Sequence, residues 1–285
     1  MNRSPVFYMI LFCFLLHPFA GAQEGQNPLP SGNRKTAEQA YNRSVEKIVL
    51  RDYSKALAEL DDALRADPLF AEAFLLRSRV KFQLGDLYSA ITDVNRAIEL
   101  NSFLGEAYYT RALYAFALDT AGVKGDDLEK AIQLGYNDAS AYYYRGLYKL
   151  MKGRPVEAIP DFTTAIEKRP DYSRAYNDRG EAGLITGDID LARKDFNRVL
   201  TRNPSDGFAL CGIGNVHMKC GELDKAQEYF DRAIALYPTL GEAFLNRGML
   251  LEMKGDLEGA CRDWKMAEAL GIEASGEFLK ECRKP

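Results

Sequence analysis

"AYYYRGLYKL", residues 141–150, sets three tyrosines side by side and follows them with Arg-Gly. Neighbouring side chains on a helix point in different directions, so three adjacent tyrosines cannot share one task. Two further stretches have the same frame: "AYNDRGEAGL" at 175–184 and "AFLNRGMLLE" at 243–252. The offsets between them are multiples of 34 residues, and the period persists along the chain. Seven segments fit without insertion or deletion: 37–70, 71–104, 105–138, 139–172, 173–206, 207–240 and 241–274. Self-similarity at this period marks stacked helix-turn-helix units.

The residue types explain the stacking. The eighth place holds Ser44, Ser78, Ala112, Gly146, Gly180, Gly214 and Gly248, and the twentieth holds Ala56, Ala90, Lys124, Ala158, Ala192, Ala226 and Ala260. Small residues at both places let two antiparallel helices approach closely. Large groups fill the space beside them, from Phe74 to Phe244 at the fourth place and from Leu60 to Trp264 at the twenty-fourth. Gly85, Gly187, Gly221 and Gly255, each followed by an acid, end the first helices. Pro68, Pro170, Pro204 and Pro238 stop the second.

This pattern resembles the tetratricopeptide repeat family over residues 37–274. The resemblance implies an all-α, right-handed helical solenoid of seven repeats, with first helices lining a concave face that grips peptides or partner proteins. Repeat one departs at its start, with Ala40 at the aromatic place. Repeat three departs most: Lys124 replaces the alanine, Gly122 and Gly125 fall where the second helix begins, and no proline closes it. A shortened or late second helix is expected there. Residues 275–285 place Phe278 and Cys282 like the start of an eighth repeat and read as the capping helix such arrays need.

The seventh place, usually apolar in the family, is Arg43, Arg77, Arg111, Arg145, Arg179 and Arg247. It faces the paired helix, so its charge needs a partner. The twenty-third place supplies Glu59, Asp93, Asp127, Asp161, Asp195 and Asp263 in the same six repeats; repeat six has Ile213 and Tyr229 instead. Joint loss in one repeat favours structural ion pairs within a repeat over pairs between neighbours. The competing reading is six arginines lining an anion groove.

Helical spacing points the second, fifth, ninth and twelfth places into the groove. The candidate partner-binding residues are Leu75, Arg79, Tyr109, Leu113, Tyr143, Leu147, Asn177, Glu181 and Asn215. Tyr109 and Tyr143 stand out, because tyrosine buries area at low entropic cost and keeps a hydroxyl available. Some family members clamp a C-terminal carboxylate with Lys, Asn and Arg. Here Asn42 and Asn246 lack those Lys and Arg partners, and no clamp is expected.

Other signals are weak. With two histidines, His17 and His217, multi-histidine metal sites and histidine catalysis are disfavoured, and no metal or cofactor is implied. "GIGNVH" at 212–217 sits inside a first helix, not after a strand, and is no phosphate loop. A net charge of −4 argues against nucleic acid.

Residues 1–22 read as a secretory signal peptide: Arg3, an apolar run over 6–16 and small residues Ala20 and Ala22. Residues 23–36 read as a flexible leader. The remaining cysteines are Cys211, Cys220, Cys261 and Cys282. An exported chain meets oxidising conditions. A staple between Cys261 and Cys282 fits their placement, with buried free thiols as the alternative. The expectation is a non-catalytic exported scaffold of bacterial type, secreted or periplasmic and with outer-membrane surroundings in view. It binds a protein or peptide; the alternative is a self-assembling structural component.

Overall fold

The computed structural model describes residues 31–118, 124–280 and 282. The expected signal peptide, residues 23–30 of the leader, Gly122 and residues 281 and 283–285 of the cap lie outside the described residues.

Fifteen helices and no strands occur among the described residues. The chain divides into two compact parts, residues 1–141 and 142–285. The first contains α1 (Ser31–Val49), α2 (Tyr53–Ala66), α3 (Ala71–Gln83), α4 (Leu87–Leu100), α5 (Gly105–Ala117) and α6 (Lys124–Gln133). Helix α7 (Ala139–Met151) begins at the end of this part and belongs mostly to the second. There it is followed by α8 (Pro155–Lys168), α9 (Ser173–Thr186), α10 (Ile189–Arg202), α11 (Gly207–Lys219) and α12 (Leu223–Leu236). The part closes with α13 (Gly241–Met253), α14 (Leu257–Ala269) and the short α15 (Ser275–Phe278). Within each part the helices pack as hairpins and each hairpin packs on the next, the arrangement of an all-α helical-repeat solenoid.

The period is visible in the boundaries. First helices start at Ala71, Gly105, Ala139, Ser173, Gly207 and Gly241, and α15 starts one further period on, at Ser275. Each hairpin turn is made by local chemistry. Gly85, Gly187, Gly221 and Gly255 take left-handed φ near +80°, and Asp86, Asp188 and Asp256 cap the next helix by accepting a backbone N–H three residues on. Repeat one makes the same turn with Arg51 at φ 58°, the one non-glycine in that region among the described residues.

Two expectations change, and the shortened second helix expected in repeat three is found. Residues 31–36, read as leader, belong to α1, and Arg34 pairs with Glu38 and with the buried Asp67 at 3.0 Å. Helix α6 spans 10 residues where α2, α4, α8, α10 and α12 span 14, and Lys124 at its start lies over the Phe116 ring, 5.0 Å from its centre. Gly146, read with the small twentieth place as what lets the helices approach, lies against the large twenty-fourth place instead: a Cβ there would meet the Phe162 ring at 2.8 Å. The same glycine-against-aromatic contact recurs at Gly180 with Phe196, Gly214 with Phe230 and Gly248 with Trp264. Repeats with the smaller Leu60, Val94 and Leu128 on the second helix carry Ser or Ala opposite, so volume is conserved across the pair.

Candidate functional site

The seventh-place arginines occupy a repeating cage. Arg77–Asp93, Arg111–Asp127, Arg179–Asp195 and Arg247–Asp263 are two-pronged pairs at 2.7–2.8 Å. Arg145–Asp161 closes at 2.6 Å and Arg43–Glu59 at 2.7 Å. Each of the five aspartates is buried, so each carboxylate needs a cation for compensation; the guanidinium supplies it, joined at 2.7 Å by Lys81 on Asp93 and Lys149 on Asp161. The preceding aromatic covers the cation: Phe74, Tyr108, Tyr142, Tyr176 and Phe244 lie 5.2–5.7 Å from Arg77, Arg111, Arg145, Arg179 and Arg247.

Pairing within a repeat is only half of the arrangement. The free prong reaches back to the preceding repeat: Arg77 to Asp61 at 2.8 Å, Arg111 to Asn95 at 3.0 Å, Arg179 to Thr163 at 2.9 Å and Arg247 to Asp231 at 2.7 Å. These arginines therefore clip neighbouring hairpins together, and they are filled by the chain's own acceptors. In these four repeats the guanidinium is occupied on both sides by the chain's own groups. In repeat six, His217 stacks on Tyr229 and pairs with Glu222.

The proposed contact residues fall into two groups. Leu75, Tyr109, Leu113 and Tyr143 are buried, the two tyrosines only 4% and 2% exposed. Tyr109 stacks on Tyr136 with centres 4.7 Å apart, and its hydroxyl donates to Ser140 at 2.8 Å. Tyr143 lies 4.8 Å from Tyr172, 5.2 Å from Tyr144 and 6.0 Å from Phe162, and its hydroxyl bonds to Asp178. The expectation that these two tyrosines offer themselves to a partner is corrected. Tyr136 and Tyr172, on the connection leading to the next first helix, fold over the fifth place and cover it.

Arg79, Leu147, Asn177 and Asn215 are half-buried, and Glu181 is exposed. Arg79 pairs with Glu106 at 2.6 Å. In the C-terminal part, Asn177 donates through its amide nitrogen to Asp206, the N-cap of α11, at 3.2 Å. Its carbonyl oxygen and that of Asn215 are buried without a protein partner. Burial pushes the Asp178 carboxyl up to about 6, with Tyr143 acting the other way; Glu181, although exposed as a residue, is raised by partial loss of solvent around its carboxyl, with Lys219 opposing the rise. Asp178, at the sixth place, was missed by a reading limited to the second, fifth, ninth and twelfth. The sixth place is turned about 100° from the fifth, which aims Asp178 back at Tyr143 on α7 while Asn177 meets Asp206.

Cys261 and Cys282 are bonded, with Cα atoms 5.8 Å apart, which ties the cap to α14. Cys211 is buried and Cys220 exposed, both as free thiols, and burial pushes the Cys211 thiol up to about 12. No group of three or more His, Cys, Asp or Glu residues among the described residues can hold a metal ion. No helix among them is long and apolar enough to cross a membrane.

Among solved structures, a tetratricopeptide repeat protein from Parabacteroides merdae is similar with a TM-score of 0.63 at 20% identity, over 86% of this chain and 98% of that one. YrrB, described as a TPR protein with an unusual peptide-binding site, gives 0.59 at 22% identity over 65% and 95%. PilW, a widely conserved type IV pilus biogenesis factor, gives 0.60 at 18% identity over 73% and 98%. These likenesses concern the fold. No curated protein matches the sequence. Family models described as tetratricopeptide repeat match residues 41–119, 152–207 and 208–240, more than half of the chain. With the unbroken period and the hairpins stacked through it, that match is decisive: the chain belongs to the tetratricopeptide repeat family.

Proposed function

We propose that the chain is a non-catalytic scaffold that binds a protein or peptide on the face formed by its first helices. The observation that supports this is the contrast between its ion pairs. Arg77, Arg111, Arg179 and Arg247 on the inter-helix side are occupied by the chain's own acceptors, whereas Asn177 and Asn215 on the first-helix face keep buried acceptors without protein partners. Two structural relatives point the same way by description, one through a peptide-binding site and one through pilus biogenesis.

Export belongs to the same proposal, as a periplasmic or secreted protein released from the signal peptide at 1–22. The Cys261–Cys282 bond supports it, because such bonds persist in oxidising compartments.

Photo-crosslinking residues at Leu147 and Phe208 on first helices, and at the exposed Val156 on a second helix, test the reading in the native host. Discrete adducts from the two first-helix positions but not from Val156 are the expected outcome. Equal labelling from all three, or none, would overturn it.

A further inference from the structure

Helix α10 carries an outward line of three cations. Lys194, Arg198 and Arg202 follow one another at one-turn intervals, about 6 Å apart along the helix axis, and all three are exposed. The same three places hold one cation or none in every other second helix. Arg193, the fourth basic residue of α10, is turned aside and donates to the Cys220 sulphur at 3.3 Å.

The chain does not balance this line. Elsewhere an exposed arginine on a second helix is answered by an acid three or four residues away: Arg65 by Asp62, Arg96 by Glu99 and Arg262 by Glu258. Lys194, Arg198 and Arg202 form no ion pair among the described residues. Asp195, on the same helix, is buried and held by Arg179. Like charges one turn apart repel, so α10 bears a cost that neutral side chains would avoid.

Backbone contacts bring a fourth cation to one end of the line. Arg202 donates to the Pro170 carbonyl at 3.4 Å. Arg232 of α12, also exposed, donates to the Pro204 carbonyl at 2.7 Å, two residues beyond Arg202. On α12, Asp224 and Asp231 are engaged by Lys254 and Arg247. Of the exposed acids on these two helices that leaves Asp190, one turn before Lys194, and Glu228, one turn before Arg232. Both stand at the margins of the line, not within it.

We propose that this line is a docking surface for an acidic peptide segment of a protein partner, whose carboxylates meet Lys194, Arg198, Arg202 and, at the end, Arg232. It lies on a second helix, apart from the first-helix face of the scaffold reading, and goes beyond that reading. An extended peptide with an acid at every second residue sets its carboxylates on one side about 7 Å apart, close to the spacing of the line. Each carboxylate gains charge-assisted hydrogen bonds, two-pronged where it meets a guanidinium. A narrow row suits a chain segment better than a flat anionic membrane. A membrane would also meet Asp190 and Glu228, and α10 exposes no large apolar side chain to insert into it.

The test follows the nitrogen-15 signals of arginine Nε–H groups in the purified chain at low salt, where exposed charges are least screened. The chain is titrated with acetyl-Glu-Ala-Glu-Ala-Glu-amide, with its glutamine counterpart, and with phosphatidylglycerol vesicles. The acidic peptide is expected to shift the Arg198 and Arg202 signals, assigned through Arg198→Gln and Arg202→Gln. The signals of Arg179 and Arg247, already engaged by aspartates, should stay in place. The glutamine peptide is expected to bind at least tenfold more weakly. Lys194→Gln with Arg198→Gln, both at exposed positions, should weaken the acidic peptide at least fivefold, and Lys265→Gln, an exposed cation of α14, less than twofold. No shift, equal binding of the two peptides, or a loss in Lys265→Gln as large as in the double variant would overturn the surface. Vesicle binding that needs Lys194 and Arg198, without a response to the peptide, would overturn it in favour of a membrane. Crosslinks from Leu147 and Phe208 report on the first-helix face alone, so either proposal can fail while the other stands.

Discussion

Gly146 on α7 lies against the ring of Phe162 on α8 so closely that a Cβ at 146 would stand 2.8 Å from a ring carbon. The contact lets the two helices of repeat four approach, and its alternative appears in repeat three, where Ala112 faces Leu128. Gly146→Ala is therefore expected to destabilise the chain by about 1–3 kcal/mol through overpacking. Combining it with Phe162→Leu recreates the repeat-three pair and should cost less than the two single changes summed. Urea denaturation of the four variants of the cycle measures this, and strict additivity would refute it.

Asp195 is 1% exposed and held by both prongs of Arg179. Arg179→Leu leaves that carboxylate buried and uncompensated, an expected loss of about 3–5 kcal/mol. Arg179→Leu with Asp195→Leu removes the stranded charge and should recover much of it. Denaturation midpoints decide; a double variant less stable than Arg179→Leu would show that the pair contributes net stability beyond its own desolvation.

Much of this architecture was legible in the sequence because it repeats. A place occupied by Arg in six repeats, matched by an acid sixteen residues later in the same six, declares a contact by joint presence and joint loss. The backward prong was not legible, since its acceptors vary among Asp61, Asn95, Thr163 and Asp231 and share only the ability to accept. Tyr109 and Tyr143 were misplaced for a related reason. Helical spacing gives the direction of a side chain but not what folds over it, and Tyr136 and Tyr172 come from connections that have no fixed pattern. Asp178 escaped because its significance is environmental: an acid without an arginine is conspicuous only once the other buried acids are seen with theirs.

Arg51 makes its turn at φ 58°, where the corresponding Gly85, Gly187, Gly221 and Gly255 bear no side-chain penalty. Arg51→Gly should stabilise the chain, by about 1 kcal/mol after the greater freedom of an unfolded glycine is subtracted. Gly187→Ala should do the reverse. A fall in melting temperature for Arg51→Gly would contradict the argument.

Trp264, the one tryptophan of the chain, is fully buried and stacks on Phe278 of the cap with ring centres 5.2 Å apart. The Cys261–Cys282 bond holds that cap over a separation of 21 residues. A loop of this size implies a stabilisation of about 3 kcal/mol. Since α15 has only four residues, reduction should release the cap locally before the repeats unfold. The expected result is a red-shifted tryptophan emission in reductant and in Cys282→Ser, with the helical circular dichroism almost unchanged. Emission that stays blue in both would mean that packing alone retains the cap.

Asp178 sets a pH dependence whose sign follows from its burial. An unfolded aspartate titrates near about 4, whereas the folded carboxyl is raised to about 6 mainly by loss of solvent, with Glu181 adding to the rise and Tyr143 and Arg174 opposing it. The folded state thus binds the proton more tightly. Its contribution is fully present below about pH 4, declines as pH rises through about 6, and is absent above, a span of at most about 3 kcal/mol. Asp178→Asn cannot ionise and lacks the decline. Glu181 is raised in the same direction, so the informative quantity is the difference between the two proteins. Urea unfolding at pH 4 and pH 7 should show wild type losing stability relative to Asp178→Asn as pH rises. Parallel behaviour at the two pH values would mean that the Asp178 carboxylate is better solvated than its packing indicates.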